Sequence, residues 1–418
     1  EGIIDEKRID KHLRRILTLK FELGIFDTPY VDQKKADEVV HSKKHVDIAL
    51  KAARESIVLL KNNNKTLPLN KKKIKKIAVF GPAADTPALG NYARGIIGNE
   101  ITPLKGLHEI AGKDVEVILR KPGEDVVALA KSVDAAIVCV TIIEDEGLDR
   151  SNLDLPVIKR NIVAKTQEDE AMGLIVSPWK RDLEKGDQEA LIKAVASSGT
   201  PTIVVMVNGS PITMQNWIND ANAIIEPWYG GERSGIALAE VIFGEYNPAG
   251  RLPMTFPKTI GQVPLYYNFS PSGRGYAYHD MDEKPQFEFG FGLSYTTFEY
   301  SNARLSSDKM PLKELKNKVK VSVDVKNTGD REGDEVAQLY IRDAFSSVVQ
   351  PLKALKGFKR IALKPGEIKT VTFELGKEEL GLWNRDMKFV VEPGEFEVFI
   401  GSSCEKRQVP KLSFSISD

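Results

Sequence analysis

Apolar and polar positions follow different periods in different parts of the chain, and the changes of period mark its organisation. In the opening stretch Ile9, Leu13, Ile16, Leu17 and Phe21 recur at helical spacing and Leu23-Gly24 offers a stop, which predicts an amphipathic helix. "VDIALKAARESIVLLKN", residues 46–62, reads as a second one. Short apolar runs follow in "IKKIAVFGP", "VEVIL", "AAIVCVTI", "PTIVVMVNG" and "ANAIIEPW", separated by helical stretches such as "EDVVALAKSV" and "DQEALIKAVASSG". A strand that is apolar at every position is covered on both faces, so these runs predict an α/β fold: a three-layer α/β/α sandwich with a largely parallel sheet. The ligand edge of such a sheet lies at the carboxyl ends of its strands. From Lys318 onward "VKVSVDVKNTGD", "EVAQLYIRD", "IKTVTFEL" and "GEFEVFIG" alternate apolar with polar residues between turn signals at Thr328-Gly329, Pro365-Gly366 and Pro393-Gly394. That alternation predicts a compact antiparallel β-sandwich of roughly seven strands. Between the two domains, the stretch from Thr259 to about Tyr300 is rich in Pro, Gly and Tyr and reads as an extended connection.

Composition narrows the function classes. The chain has 418 residues, too many for one ordinary core, and its 59 basic and 59 acidic side chains leave no net charge. Such balance gives no reason to expect nucleic acid or a membrane surface as partner, and no apolar run reaches the roughly eighteen residues of a membrane span. The opening segment is charged and lacks the continuous apolar core of a signal peptide. Cys139 and Cys404 fall in different predicted domains, which argues against a disulfide framework and makes Cys139 a small core residue. The histidines show no HExxH or paired-cysteine spacing, so no metal or other cofactor is expected. "FGPAADTPALG" has a glycine after a strand but neither GxGxxG nor GxxxxGK[ST], and Pro82 removes an amide donor, so it is not read as a nucleotide site.

One stretch carries candidate chemistry. "EDEGLDRSNLDLP", residues 144–156, follows the apolar run "AAIVCVTI" and places Glu144, Asp145 and Glu146 together at a strand exit. A solvated turn and a loop carrying a catalytic acid both fit that placement. Mutual repulsion in a carboxyl cluster can keep one member protonated, as a general acid requires. Gly147 allows a tight turn, and Asp149 with Arg150 reads as an ion pair that shapes the loop.

Several segments together resemble family 3 glycoside hydrolases, the β-glucosidase and β-xylosidase group. They are "LLKNNNKTLPL", "GNYARGIIGNEITPLKGL", "EGLDRSNLDLP", "PWYGGERSGIALAEVIFGEYNPAGRLPMTFP", "GRGYAYHD" and "FEFGFGLSYTTFEYS". "VKNTGDREGDEVAQLYIRD" and "LKGFKRIALKPGEIKTVTFEL" resemble the immunoglobulin-like, fibronectin-III-like module of the same enzymes. The resemblance implies a hydrolase: a retaining, exo-acting β-glycosidase that removes terminal non-reducing β-D-glucosyl residues from oligosaccharides by double displacement, with β-xylosidase as the alternative. In that family a (β/α)8 barrel comes first and carries the nucleophilic aspartate in a Ser-Asp-Trp-type motif, while the α/β sandwich supplies the general acid/base. No Ser-Asp-Trp occurs in these residues, so the chain resembles the C-terminal portion of such an enzyme. It is expected to work with a barrel domain or chain and to be inactive alone; self-association is left open.

By that resemblance Glu146, in the family's E-G-x-D-R pattern, is the first choice for the acid/base, and Glu144 the second. The implied domains are a helix and linker at 1–40, the α/β sandwich at 41–258, an extended linker at 259–312 and the fibronectin-III-like sandwich at 313–418. Residues 157–186 interrupt the family's usual passage from L-x-L-P into a Q-E-x-L-I helix. This insertion is read either as an aglycone wall, with Trp179 as a stacking surface, or as a plain surface excursion. Trp217, Trp228, Tyr229 and Trp383 are assigned to core or interface, and the second sandwich is read as a brace without a site. A non-catalytic carbohydrate-binding or interaction module is the rival reading from another class.

Overall fold

The structure, a computed structural model, describes residues 4–90, 99–142, 150–158, 162–163, 180–181, 186–271 and 279–418. The chain forms two compact units, residues 1–48 and residues 49–418. In the first, α1 (Glu6–Glu22) is N-capped by Asp5, whose carboxylate accepts from the Lys7 amide at 3.1 Å. α2 (Gln33–Val39) is capped in the same way by Asp32. The predicted apolar stripe of α1, from Ile9 to Phe21, is exposed along its length.

The second unit opens with the remainder of α3 (Lys43–Ser56) and with β1 (Val58–Asn62). This corrects the reading of residues 46–62 as one helix. The helical period ends at Ser56 because Val58 to Leu60 are buried as an edge strand, paired antiparallel to Ala223–Glu226. β2 (Lys76–Phe80), β3 (Glu116–Leu119), β4 (Ala135–Thr141), β5 (Thr202–Val207) and β6 (Ala223–Glu226) complete the sheet. The order is β1-β6-β5-β4-β2-β3, parallel except for β1.

Successive residues of each inner strand face opposite cores. Ile77, Val79, Ile137 and Cys139 join the core beneath α4 (Pro103–Ala111) and α7 (Ser234–Phe243), and Ala78, Phe80, Val138 and Val140 join the other. α5 (Val126–Lys131) and α6 (Gln188–Ala196) cover that second face, where Leu129, Ile192 and Val195 pack. Coverage on both sides is why these runs lack alternation. α4 and α7 approach backbone to backbone, and a Cβ on Gly106 would lie 2.0 Å from the Gly235 carbonyl oxygen. Cys139 sits wholly inside, and burial pushes its thiol up to about 12.

The β-sandwich takes its first strand, β7 (Phe298–Leu305), from the end of the stretch read as a connection. β7 pairs with β9 (Val319–Asn327), which pairs with β12 (Ile368–Leu375). The facing five-stranded sheet runs β8 (Lys309–Pro311), β14 (Leu412–Ser417), β13 (Gly394–Gly401), β10 (Gly333–Asp343), β11 (Ala354–Leu363). Val319, Val321, Val323 and Val325 point inward against Leu339, Phe396 and Phe414 at the period-2 spacing read from the sequence.

A charged seam joins the sandwich to the α/β domain. Arg251 and Glu335 pair at 2.7 Å with side chains only 8% and 3% exposed. Arg251 also donates to the carbonyls of Ala249 and Gly250 at 3.1 Å, and Tyr300 donates its hydroxyl to Glu335 at 2.7 Å. Burial drives the Tyr300 pKa upward, so the phenol stays protonated as a donor. Arg360 adds bonds to Asp334 at 2.6 Å and to the Tyr246 hydroxyl at 2.7 Å.

Breaking a buried ion pair on one side costs about 3–5 kcal/mol, whereas an apolar pair of like size is often neutral. Glu335→Ala should therefore lower urea-unfolding stability by about that amount. Arg251→Met with Glu335→Leu should recover most of it, and a double variant as unstable as the single one would contradict this account. At the end of β10, Asp343 buries one carboxylate oxygen without a partner among the described residues. Burial lifts its carboxyl to about 6, with Glu392 adding to the rise and the Phe345 amide opposing it. The folded state therefore holds this proton to higher pH than the unfolded chain, and stability falls as pH rises from the ordinary aspartate range to about 6. Asp343→Asn should raise Tm more at about pH 7.5 than at about pH 4; equal shifts would refute the assignment.

Candidate active site

Because β2, β4, β5 and β6 run parallel, their carboxyl ends share one edge of the sheet, and β2 and β6 each end in a shaped turn. After β2, Gly81 takes φ +95°, and a Cβ there would lie 2.4 Å from the Cys139 carbonyl oxygen, so this turn lies directly on β4. It leads to Asp85, which accepts from the Thr102 hydroxyl at 2.7 Å; Thr102 in turn caps α4. After β6, Trp228 adopts φ 58° while its amide donates to Glu226 at 2.9 Å, and Tyr229 packs beside Gly90.

The acidic stretch leaves from the end of β4, in the middle of this edge. Glu144, Asp145, Glu146, Gly147 and Asp149 lie outside the described residues, as does Trp179. What the structure shows is how the flanks of the stretch are held. Gln188, the first residue of α6 and 2% exposed, accepts from the Thr141 amide at 2.9 Å. It returns its Nε2 to the carbonyls of Thr141 at 2.9 Å and Pro156 at 2.8 Å. One carboxamide thus ties the strand end to the returning leg. Thr141 also donates its hydroxyl to the Val207 carbonyl at 2.8 Å, across to β5.

The returning leg docks on the turn after β5. Arg150 donates through Nη2 to the Ser210 hydroxyl at 3.1 Å and to the Pro211 carbonyl at 2.7 Å. The Thr213 amide donates to the Leu153 carbonyl at 2.8 Å, and its hydroxyl bonds Asp154. Arg150 thus ties the start of the returning leg to residues 210–211; the expected ion pair with Asp149 involves a residue outside the described ones. Sequence reasoning missed Gln188, Ser210 and Thr213; the available signal was the Gln-Glu start of "QEALI". The insertion after Pro156 leaves and returns as antiparallel pairs, Val157–Ile158 with Gly186–Asp187 and Ile162–Val163 with Lys180–Arg181. Trp217 is fully buried and Trp228 half-buried, whereas Trp383 is 60% exposed, so of the two roles read for it, core or interface, the core one does not hold.

With this geometry established, the comparisons with known proteins are specific. The Glycosyl hydrolase family 3 C-terminal domain matches residues 57–295, and a fibronectin type III-like domain matches residues 335–404. The chain belongs to glycosyl hydrolase family 3. It is 39% identical to a β-xylosidase of Formosa agariphila, over 98% of this chain and 56% of that protein. It is 37% identical to a periplasmic β-glucosidase of Salmonella typhimurium, over 99% of this chain and 56% of that protein. A β-glucosidase from Listeria innocua solved with glucose superposes with a TM-score of 0.82 at 31% identity, over all of this chain and 56% of the other. The chain thus spans little more than half the length of these relatives.

The Gln188 clamp makes a direct test. Gln188→Leu strands three backbone hydrogen-bonding interactions inside the protein, and an unsatisfied buried group costs about 1–3 kcal/mol. The variant should lose at least that much stability and show faster amide exchange across residues 150–156. Unchanged exchange there would mean that the clamp does not hold the leg.

Proposed function

We propose that this chain supplies the general acid/base half of a retaining, exo-acting β-glycosidase of family 3, with Glu146 as the proton donor and Glu144 as the second candidate. The observation that carries this reading is the placement of the acidic stretch. It springs from a central strand at the carboxyl edge of a parallel sheet, where ligands of α/β folds gather, and both of its flanks are fastened. A solvated turn needs no such fastening. Asp145 flanks the cluster, Gly147 permits the turn, and Asp149 with Arg150 keeps the loop in shape.

The chemistry needs two carboxyl groups about 5–5.5 Å apart on opposite sides of the glycosidic bond. In the first step an aspartate of a (β/α)8 barrel attacks the anomeric carbon while Glu146 gives its proton to the departing glycosidic oxygen. In the second, the Glu146 carboxylate takes a proton from water, the water oxygen bonds the anomeric carbon, and the ester bond to the aspartate breaks. No Ser-Asp-Trp lies in the sequence, so the nucleophile is assigned to the barrel, and the exposed stripe of α1 is a fitting surface for that barrel to cover. Terminal β-glucosides are the proposed substrates. β-Xylosides are the second reading, favoured by the 39% identity to a protein of that name.

In the enzyme assembled with its barrel, Glu146→Gln should slow cellobiose hydrolysis by about 10²–10⁴-fold, because a sugar leaving group needs protonation. Aryl glucosides with good leaving groups should keep a near-normal first step and stall at the second, and added azide should restore their turnover. Cellobiose hydrolysis within about threefold of wild type would remove Glu146 from the role. The same pattern in Glu144→Gln would move the assignment two residues back.

A further inference from the structure

The second sandwich carries an open cavity of about 680 Å³ away from the seam. Leu312, Leu315, Phe389, Val390 and Val391 give it an apolar lining, and Lys313, Lys316, Lys318 and Lys377 are among the residues that line it. Lys318 reaches Glu374 at 3.4 Å; among the described residues the other three form no ion pair. The lining carboxylates are Glu378 and Glu379. Glu379 is already engaged, accepting the Gly376 amide at 2.8 Å at the start of the short helix Lys377–Leu380. It also lies close enough to raise the pKa of Lys356, against the larger lowering by burial. Cationic charge therefore exceeds anionic charge around the cavity.

Beside it stands the exposed Trp383. The two-residue strands Leu382–Trp383 and Phe389–Val390 pair, and the Trp383 ring lies 5.6 Å from the ring of Phe389, itself a lining residue. Leaving 60% of a tryptophan in water forfeits burial that this fold gives fully to Trp217, so the exposed indole is the informative one. A flat aromatic face matches the C–H side of a pyranose ring, and neighbouring ammonium groups match a carboxylate on that ring.

We propose that this cavity binds a uronic-acid-bearing oligosaccharide, one ring stacked on Trp383 and the carboxylate held by Lys313, Lys316 and Lys377. The choice of a glycan as occupant rests on the reading of the chain as part of a glycoside-processing enzyme. The site departs from the expectation that the sandwich is only a brace, and it is separate from the acid/base loop.

Titration calorimetry on the full chain tests it with three probes: xylotriose carrying one glucuronic acid, neutral xylotetraose, and sodium glucuronate alone. The acidic oligosaccharide should bind with a millimolar or tighter Kd, and xylotetraose at least about tenfold more weakly. Raising salt should weaken the acidic ligand alone. Trp383→Ala and the pair Lys313→Ala with Lys316→Ala should each weaken it about fivefold or more, and these exposed positions leave the fold intact by circular dichroism. Glucuronate should bind measurably less well than the oligosaccharide, since it lacks the additional rings. No heat with the acidic oligosaccharide, equal binding of the neutral one, or indifference to both variants would overturn the proposal. Failure of the Glu146 role would appear in hydrolysis and leave this heat unchanged, so the two readings fall separately.

Discussion

A charge inside a protein must find its counter-charge or it unfolds the region around it, and the Arg251–Glu335 pair imposes that condition on both domains at once. Arg251 lies in the segment that leaves the α/β domain, and Glu335 lies near the start of β10. For them to meet, β10 must hold its register against β11 and β13, and the segment after Gly250 must keep its path. Tyr300 satisfies the second oxygen of Glu335, which adds β7 to the same condition. Arg251 Nε has no partner among the described residues, yet the bonds the pair does make tie the segment after Gly250 to β10 and β7. Two domains that could have turned about a linker are thereby given one arrangement.

Within the α/β domain a second constraint leads from hydrophobicity to chemistry. β4 is buried at every position, so the chain can leave its sheet only at the carboxyl edge, where the last backbone groups of the strand need partners. Gln188 meets that need for Thr141 and, with the same amide, fixes Pro156. Arg150 and Thr213 fasten the leg between. The polar groups that close the strand end are therefore the ones that determine where the acidic stretch begins and ends. A general acid works only when its carboxyl stands within hydrogen-bond reach of the leaving oxygen, so stiffness at the flanks is what such a residue requires of its fold.

Much of this was legible beforehand, for identifiable reasons. Runs such as "AAIVCVTI" and "PTIVVMVNG" are apolar throughout because two layers of helix cover them, and that pattern survives without tertiary knowledge. "IVLLKN" was read as helix because Ile57 and Leu60 continue the helical period, and only pairing with Ala223–Glu226 makes it a strand. The role of Gln188 was hidden because Thr141 is 47 residues away and Pro156 is 32 residues away. For Trp383 the sequence left core and interface open together, and its exposure follows from a short hairpin at the surface. The carboxyl cluster itself was plain. Choosing Glu146 over Glu144 needed the family pattern, because two glutamates two positions apart at a strand exit offer no physical discriminator.

The second sandwich illustrates how one small domain can carry two demands without conflict. Its seam to the α/β domain uses Tyr300, Arg331, Asp334, Glu335, Gln338 and Arg360, which lie on β7, β10, β11 and the turn before β10. The lysine-rich cavity draws on Leu312 to Lys318 without Glu314 and Asn317, and on residues 376–379 and 389–391, a set with no member in common. The first set is packed and largely satisfied, and a change there is paid in stability because charges are left unpaired. In the second, Leu315 and Val391 are buried but the lysines are exposed, so substitutions of those lysines alter surface potential at little cost to folding. The outer face is therefore free of the packing demands of the seam, and a tryptophan kept in water there is the kind of residue that packing against the α/β domain does not call for.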